Sequence, residues 1–329
     1  MKRLAIAAAA LLVLGAAQAQ QPIVIKFSHV VAIDTPKGKG ADRFKQLAEE
    51  RTKGRVKVEI YPNSQLFKDG EEMEALQLGS VQMLAPSVAK FGPLGVREFE
   101  VFDLPYIFDS FEELHKVTEG PVGKTLFKKL ETKGVTGLAF WDNGFKDFSA
   151  NKPIKVPADY KGLKLRIQSS KVLGDEIKAL GAIPQVMAFS EVYQALQTGV
   201  VDGTENPPSN FYTQKMHEVQ KYLALTDHGV IEYAVIVNKK FWDGLPADVR
   251  ATLEAAMKDA TKYANDIAQK ENDDALDGIR KSGRSEVITL NDAQKAAWKK
   301  AMLPVHKENE ARVGKDTLEE VYKQVGFKP

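Results

Sequence analysis

Strand-like and helix-like stretches alternate along most of the chain, and this alternation restricts the fold more than any other feature. "IVIKFSHV" (Ile23 to Val30) reads as a strand, followed by an amphipathic helix from Lys37 to Lys53 that Gly54 ends. "VKVEIYP" and a helix from Gly70 to Leu78, ended by Gly79, repeat the unit, and "VQMLAPS" adds a strand. Farther on, "VTGLAFW", "LKLRIQ" and "GVIEYAVIVN" supply more strands between helices. Such a chain is predicted to be α/β with largely parallel sheets. "EALQLGSVQ" (Glu74 to Gln82) and "QALQTGVVD" (Gln194 to Asp202) share five of nine positions, each spanning a helix end, a glycine cap and a strand start. The echo is either convergent capping or the same winding in two lobes. The alternation restarts near residue 135, which favours two lobes. Pro246 to Gly283 departs from the pattern: it is rich in Ala, Lys, Asp and Glu, with no glycine before Gly278. It reads as one long helix, open to a break at Gly278, and ~30 helical residues run ~45 Å, enough to brace two lobes.

The N-terminus sets the compartment. Lys2 and Arg3 precede the apolar run Leu4 to Ala17, and Ala17, Gln18 and Ala19 form an A-x-A cleavage site. Residues 1–19 are therefore expected to be a secretory signal peptide, and no later segment has the apolar length of a membrane span. The chain has no cysteine, which excludes disulfides, thiolate metal sites and a lipid-modified cysteine. Setting Lys2 and Arg3 aside from the 46 Lys and Arg leaves 44 against 44 Asp and Glu. A neutral mature chain of this kind is not a nucleic-acid or membrane-surface binder, and a bacterial periplasm fits it best.

Catalytic and metal signatures are absent from the sequence. No two of the five histidines have ligand spacing; "HEVQK" at His217 lacks the second histidine of a zinc-protease helix, and "GKG" at Gly38 lacks a dinucleotide fingerprint's third glycine. "ENDDALD" (Glu271 to Asp277) has no EF-hand glycine and reads as a solvated helix face. No metal or cofactor is expected. Cationic, amide and aromatic residues at strand ends remain. "WDNGFKDFS" holds Trp141, Asn143 and Lys146 directly after an apolar strand, where open α/β folds place ligands. A helix capped at Ser190 and the polar loop Asp202 to Asn210 follow later, with Asn206 held extended by Pro207. In "GLKLRIQSS", Leu163, Leu165 and Ile167 alternate with Lys164, Arg166 and Gln168, and Ser169 or Ser170 starts a helix. An arginine beside a helix N-terminus suits an anion, while a surface ion pair is the competing reading.

Beyond these local patterns, "DLPYIF", "WDNGFKDFSANKPI", "GLKLRIQSS", "MAFSEVYQALQTGVVDGTENP" and "QKMHEVQKYL" together resemble the solute receptors of tripartite ATP-independent periplasmic (TRAP) transporters. "FSHVVAIDTPKGKGADRFKQLAEE" and "YPNSQLF" are similar to the DctP branch, which takes C4-dicarboxylates. The resemblance covers the mature chain in order. It implies a two-lobed periplasmic-binding-protein fold of the TRAP receptor type, with a long helix spanning both lobes. By that likeness lobe one is 20–141 with 231–270, and lobe two is 142–230 with 271–329. The implied roles put the substrate carboxylate on Arg166 through two parallel hydrogen bonds, with an amide from Asn206 and the ring of Phe189 over the ligand. Lys146 stands where other branches carry arginine, and as a point charge it would meet a second carboxylate one oxygen at a time. Lobe one would contribute from His29, Thr35, Lys37 and Ser87, with Lys37 or Lys39 as a third cation. The implied partners are a small dicarboxylate and the small and large TRAP permease subunits. The alternatives are a periplasmic lyase or isomerase using Glu191 or Asp142 as base, and a sensor co-receptor.

Overall fold

The computed structural model describes residues 21–328, so the expected signal peptide lies outside the described residues. Among the described residues no helix is long and apolar enough to cross a membrane. Among the described residues, eleven strands form two sheets: β1 (Ile23–Ser28), β2 (Val56–Tyr61), β3 (Met83–Leu84), β4 (Val135–Phe145), β5 (Asp147–Ala150), β6 (Lys164–Ile167), β7 (Ile183–Val186), β8 (Gly203–Asn206), β9 (Tyr222–Leu225), β10 (Val230–Asn238) and β11 (Glu286–Thr289). The first sheet has the order β2-β1-β3-β10-β4, and the second β11-β9-β5-β8-β6-β7.

The sheets are mixed, and this corrects the expectation of largely parallel ones. β2, β1 and β3 are parallel, but β10 runs antiparallel to both β3 and β4. In the second sheet β5 is antiparallel to β8 and β9. The cause is connectivity. β4 leaves the first sheet and becomes β5 of the second after one residue, Lys146, and the chain returns from β9 through β10. An outgoing and a returning strand laid side by side must run in opposite directions.

Each sheet is covered on both faces. Along β10, Tyr233, Val235 and Val237 enter one core and Ala234 and Ile236 the other, the period-2 division of a strand buried on both sides. In β9, Leu223 and Ala224 divide likewise between the two cores of the second sheet. The repeated glycine caps are real: Gly79 and Gly199 both take the left-handed backbone, with φ of 78° and 74°.

The long helix spans Ala247–Ser282, 36 residues, without a break at Gly278. At that glycine a Cβ would lie 2.7 Å from the ring of Tyr212, so the absence of a side chain serves close packing. The buried face of the helix is small, with Ala256, Ala260, Ala264 and Ala268 one turn apart, and this lets it lie against the helix Pro36–Arg51 and against β4. Below them, Asn272 reaches the segment after β8 by accepting the Ser209 N–H at 3.0 Å.

Candidate functional site

Arg166 is set by the alternation that made it visible. Leu165 and Ile167 of β6 point into the core of the second sheet, which turns Arg166 to the opposite face. That face is also covered, and the arginine is 1% exposed. Its Nε and Nη2 both donate to the carbonyl of Met187, at 3.0 and 2.9 Å. A guanidinium has five N–H donors. The backbone thus occupies the Nε side, while the Nη1–Nη2 end is directed elsewhere, the fork that meets a carboxylate in two parallel bonds. Burial lowers the pKa, opposed by Asp69 and Glu205, yet the group stays charged. Ser170 does cap the next helix, accepting the Leu173 N–H at 3.4 Å, but it is not among the residues around the cavity.

Arg166 faces a cavity of about 20 Å³, the room one water needs. Asn206, Phe189 and Ser87 join it there, so four expected residues converge on one space. The Phe189 ring centroid lies 5.5 Å from the guanidinium carbon. Asn206, at the end of β8, sends its Nδ2 to Thr204 Oγ1 at 3.3 Å, and its Oδ1 is buried without a partner. Ser87 bridges to Tyr233 and opens the single turn Val88–Lys90. The helix expected to be capped by Ser190 instead begins at Val192 after a turn over Phe189–Glu191, with no side-chain cap and Ser190 exposed.

Five polar residues at the cavity were not among the expected site residues: Asp69, Lys90, Gln168, Asn210 and Tyr233. Lys90 Nζ lies 2.6 Å from Asp69 Oδ2, which is also 3.6 Å from Arg166 Nη2 and accepts the Phe189 N–H at 3.1 Å. Against the cost of burial, Lys90 and Arg166 hold the Asp69 carboxyl below its ordinary range. Gln168 was legible, standing two residues after Arg166 on the same strand face. Asp69 left no signal at all.

The remaining expected residues stand behind the cavity or away from it. Asn143 sits at a bulge, since Ile231 pairs with Gly144 and Glu232 with Asp142. Its Nδ2 donates to Tyr233 Oη at 2.9 Å, and Asn210 donates to the same hydroxyl at 3.2 Å, so Asn143 supports the cavity wall. Lys37 is buried, donating to Ala85 O at 2.9 Å with Nζ 3.6 Å over the Tyr233 ring. His29 is fully buried with neither ring nitrogen hydrogen-bonded; burial, then Lys37, push it down to about 3. Thr35 caps the helix Pro36–Arg51 by accepting the Gly38 N–H at 3.1 Å. Lys39 pairs with Glu271 at 2.6 Å. Trp141 packs on Phe27 and donates to Thr261 Oγ1 at 2.9 Å, a core role.

Lys146 points elsewhere. Its Nζ lies 2.5 Å from Glu205 Oε2, and His228 Nε2 is 3.0 Å from the same oxygen and 3.3 Å from Glu176 Oε1. Burial works against the ammonium, but Glu205, Glu176 and Asp103 outweigh it and raise its pKa. Glu205 is brought down to about 2 although burial opposes this, chiefly by Lys146, while burial pushes Asp103 up to about 7. Glu176, Glu205 and His228 offer ligand atoms within 4.8 Å of one another, the geometry for a metal ion. The ammonium of Lys146 supplies that cluster with a cation from the chain itself.

The two carboxylates weighed as bases are not at the cavity either. Glu191 pairs with Lys68 at 2.7 Å, half exposed, and Asp142 is buried against His115 Nε2 at 2.7 Å. Two wider clefts, about 770 and 780 Å³, open along Arg43 to Tyr263 and between Phe111 and Lys295. They offer more space but not the convergent buried cations of the Arg166 cavity.

Comparison with known proteins shows the family. The family model for DctP, bacterial extracellular solute-binding protein family 7, matches residues 27–312. The C4-dicarboxylate-binding periplasmic protein DctP of Rhodobacter capsulatus is 66% identical over 298 residues, covering 91% of this chain and 90% of its own. Among solved structures, a TRAP periplasmic solute-binding protein from Shewanella oneidensis with bound succinate superposes with a TM-score of 0.90 at 41% identity, covering 92% of this chain and 99% of that one. One from Pseudomonas aeruginosa with bound L-malate gives a TM-score of 0.85 at 43% identity, covering 87% of this chain and 100% of that one.

Proposed function

This chain belongs to the bacterial extracellular solute-binding proteins of family 7, and we propose that it is a TRAP solute receptor which captures a C4-dicarboxylate such as succinate, malate or fumarate. The observation that carries the reading is the Arg166 fork: buried, steered by Met187 and turned on a cavity beside Phe189 and Asn206. One ligand carboxylate would take the Nη1–Nη2 end of Arg166 and an amide hydrogen of Asn206. The second would fall to Lys90, with Lys37 behind it, because Lys146 is committed to Glu205. Two buried negative charges need this much compensation. The names and bound ligands of the relatives support the same substrate class.

In this reading the two sheets belong to two lobes, 20–141 with 231–270 and 142–230 with 271–329. The cavity draws on both, since Asp69, Ser87 and Lys90 come from the first and Arg166, Phe189 and Asn206 from the second. A ligand that touches both sides favours the closed arrangement, and only that differential binding shifts the equilibrium. The closed receptor then delivers its solute from the periplasm to a permease pair of small and large subunits. The signal peptide would be removed after Ala19. The chain acts as a receptor and not as an enzyme on the acid, and the placement of Glu191 and Asp142 away from the cavity supports this.

Calorimetric titration of the mature chain with succinate, malate and fumarate, alongside matched monocarboxylates, tests the proposal. The dicarboxylates are expected to bind and to be recovered chemically unaltered by NMR. Absence of heat and of any melting shift with all three acids would overturn it, and conversion of a bound acid would replace receptor with enzyme.

A further inference from the structure

Two adjoining side chains of the cavity wall, Tyr233 and Asn210, are buried and incompletely hydrogen-bonded. The Tyr233 hydroxyl oxygen accepts two amide N–H groups, from Asn143 Nδ2 at 2.9 Å and from Asn210 Nδ2 at 3.2 Å. A phenol oxygen has two positions for accepting and one hydrogen to give. Both accepting positions are taken, and neither amide nitrogen can receive the hydrogen. Among the described residues the hydroxyl has no further partner. The amide of Asn143 is oriented from its other end, where Oδ1 accepts the Ser209 hydroxyl at 3.2 Å. Asn210 has its Nδ2 on Tyr233, and its Oδ1 is buried with no partner. A free donor and a free acceptor thus stand side by side at the cavity. Resting on the dicarboxylate reading, we propose that Tyr233 and Asn210 together read a ligand hydroxyl, so that the receptor takes 2-hydroxy C4-dicarboxylates ahead of unsubstituted ones.

Hydrogen-bond chemistry separates the candidate acids at this wall. An ionised dicarboxylate carries acceptors only. Its oxygens can take the hydrogens of Arg166, Lys90 and the Tyr233 hydroxyl, but they have none to return to Asn210 Oδ1. Asn206 Oδ1, at the same cavity, is a second buried acceptor without a partner and adds to the demand for a donor. An alcohol accepts and donates at a single oxygen. It takes the Tyr233 hydrogen and gives its own to Asn210 Oδ1, so one atom completes both residues. Closing over an acid that lacks the hydroxyl seals Asn210 Oδ1 from water with no donor, and an unpaired buried acceptor costs more than a typical hydrogen bond contributes.

Two neighbours strengthen the pair. The ammonium of Lys37 lies 3.6 Å over the Tyr233 ring, and a cation on that face draws electron density from the phenol, which makes its O–H a better donor. Burial drives the hydroxyl pKa above its ordinary range, so the proton is present to be given. The placement also couples recognition to closure. Tyr233 belongs to lobe one and Asn210 to lobe two of the proposed division, and a hydroxyl held by both favours the closed arrangement.

Titration calorimetry of the mature chain with succinate and with each enantiomer of malate tests the pair, because these acids differ by one hydroxyl. The better malate enantiomer is expected to bind at least about 10-fold more tightly than succinate, the factor that follows when a buried acceptor is paired in one complex and bare in the other. One hydroxyl position between two held carboxylates admits one hand, so the other enantiomer should fall toward succinate. In Tyr233→Phe and in Asn210→Leu the ratio of malate to succinate affinity should collapse to within about 2-fold, whatever happens to affinity as a whole. Succinate binding as tightly as both enantiomers in the wild-type chain would overturn this inference alone, a measurement that needs no variant to fold. A ratio unchanged in either folded variant would overturn the assignment to this pair. Failure of all three acids to bind would instead remove the dicarboxylate reading and this inference with it.

Discussion

Arg166 and Lys146 are both buried cations, and their surroundings are opposite. Arg166 pairs directly with one carboxylate, Asp69 at 3.6 Å, and has a backbone carbonyl that fixes its plane. Lys146 has Glu205 at 2.5 Å, with Glu176 and Asp103 close enough to raise its pKa. One cation keeps a pair of donors clear of its backbone partner, and the charge of the other is matched by buried carboxylates. On the proposed reading, the carboxylates that converge on a buried cation decide whether its charge is left for a ligand or matched within the fold.

Replacing each cation should separate the two roles. Lys146→Met keeps the length of the side chain and leaves buried carboxylates uncompensated, which should cost about 3–5 kcal/mol of stability in denaturant unfolding. Whatever folded protein remains should still bind a dicarboxylate; a selective loss of affinity at unchanged stability would break the comparison. Arg166→Ala should weaken dicarboxylate binding at least about 100-fold, near the 3 kcal/mol expected for a buried, hydrogen-bonded charge. Arg166→Lys should leave a weak remnant, since an ammonium cannot form the two parallel bonds. A full ligand-dependent melting shift in Arg166→Ala would sink the assignment.

The smallest effect lies within the sealed cluster. Asp103 titrates near 7 in the fold because burial raises it from the ordinary 3.8. Its folded pKa exceeds its unfolded one, so its contribution is complete below about pH 3.8 and is lost as the pH rises through about 7. Asp103→Asn should therefore unfold with a flatter pH dependence across that window, gaining on the order of 1–2 kcal/mol relative to the wild type at about pH 8. Parallel stability curves for the two proteins would show that Asp103 does not carry this linkage.

Which parts were legible in the sequence follows the same division. Alternation in "GLKLRIQ" identified Arg166 because strand periodicity is local, and the glycine caps after Leu78 and Thr198 were readable for the same reason. The antiparallel course of β4 and β10 was hidden, because strand direction depends on which sheet the chain enters, over nearly a hundred residues. Lys146 was visible as a cation, but its counter-ions come from Asp103, Glu176 and Glu205, each in a different segment. Asp69 and Lys90 were missed for that reason too: their pairing at 2.6 Å is a meeting of segments that no short motif encodes.

The long helix grips the crossing strand at two adjoining residues. Asn265 Oδ1 accepts the Asp142 N–H at 3.0 Å, and Asn272 Nδ2 donates to the Asn143 carbonyl at 2.6 Å, where the bulge leaves that carbonyl outside the ladder. Gly144 completes the joint, because a Cβ there would lie 2.6 Å from Asn272 Nδ2. The two asparagines share a helix face only because they are two turns apart. A single residue inserted between them would swing the second by about 100° around the axis and unfasten the strand. The helix is thus a ruler whose graduations matter more than its material, and drift in sequence should be tolerated along it far better than any change in its count.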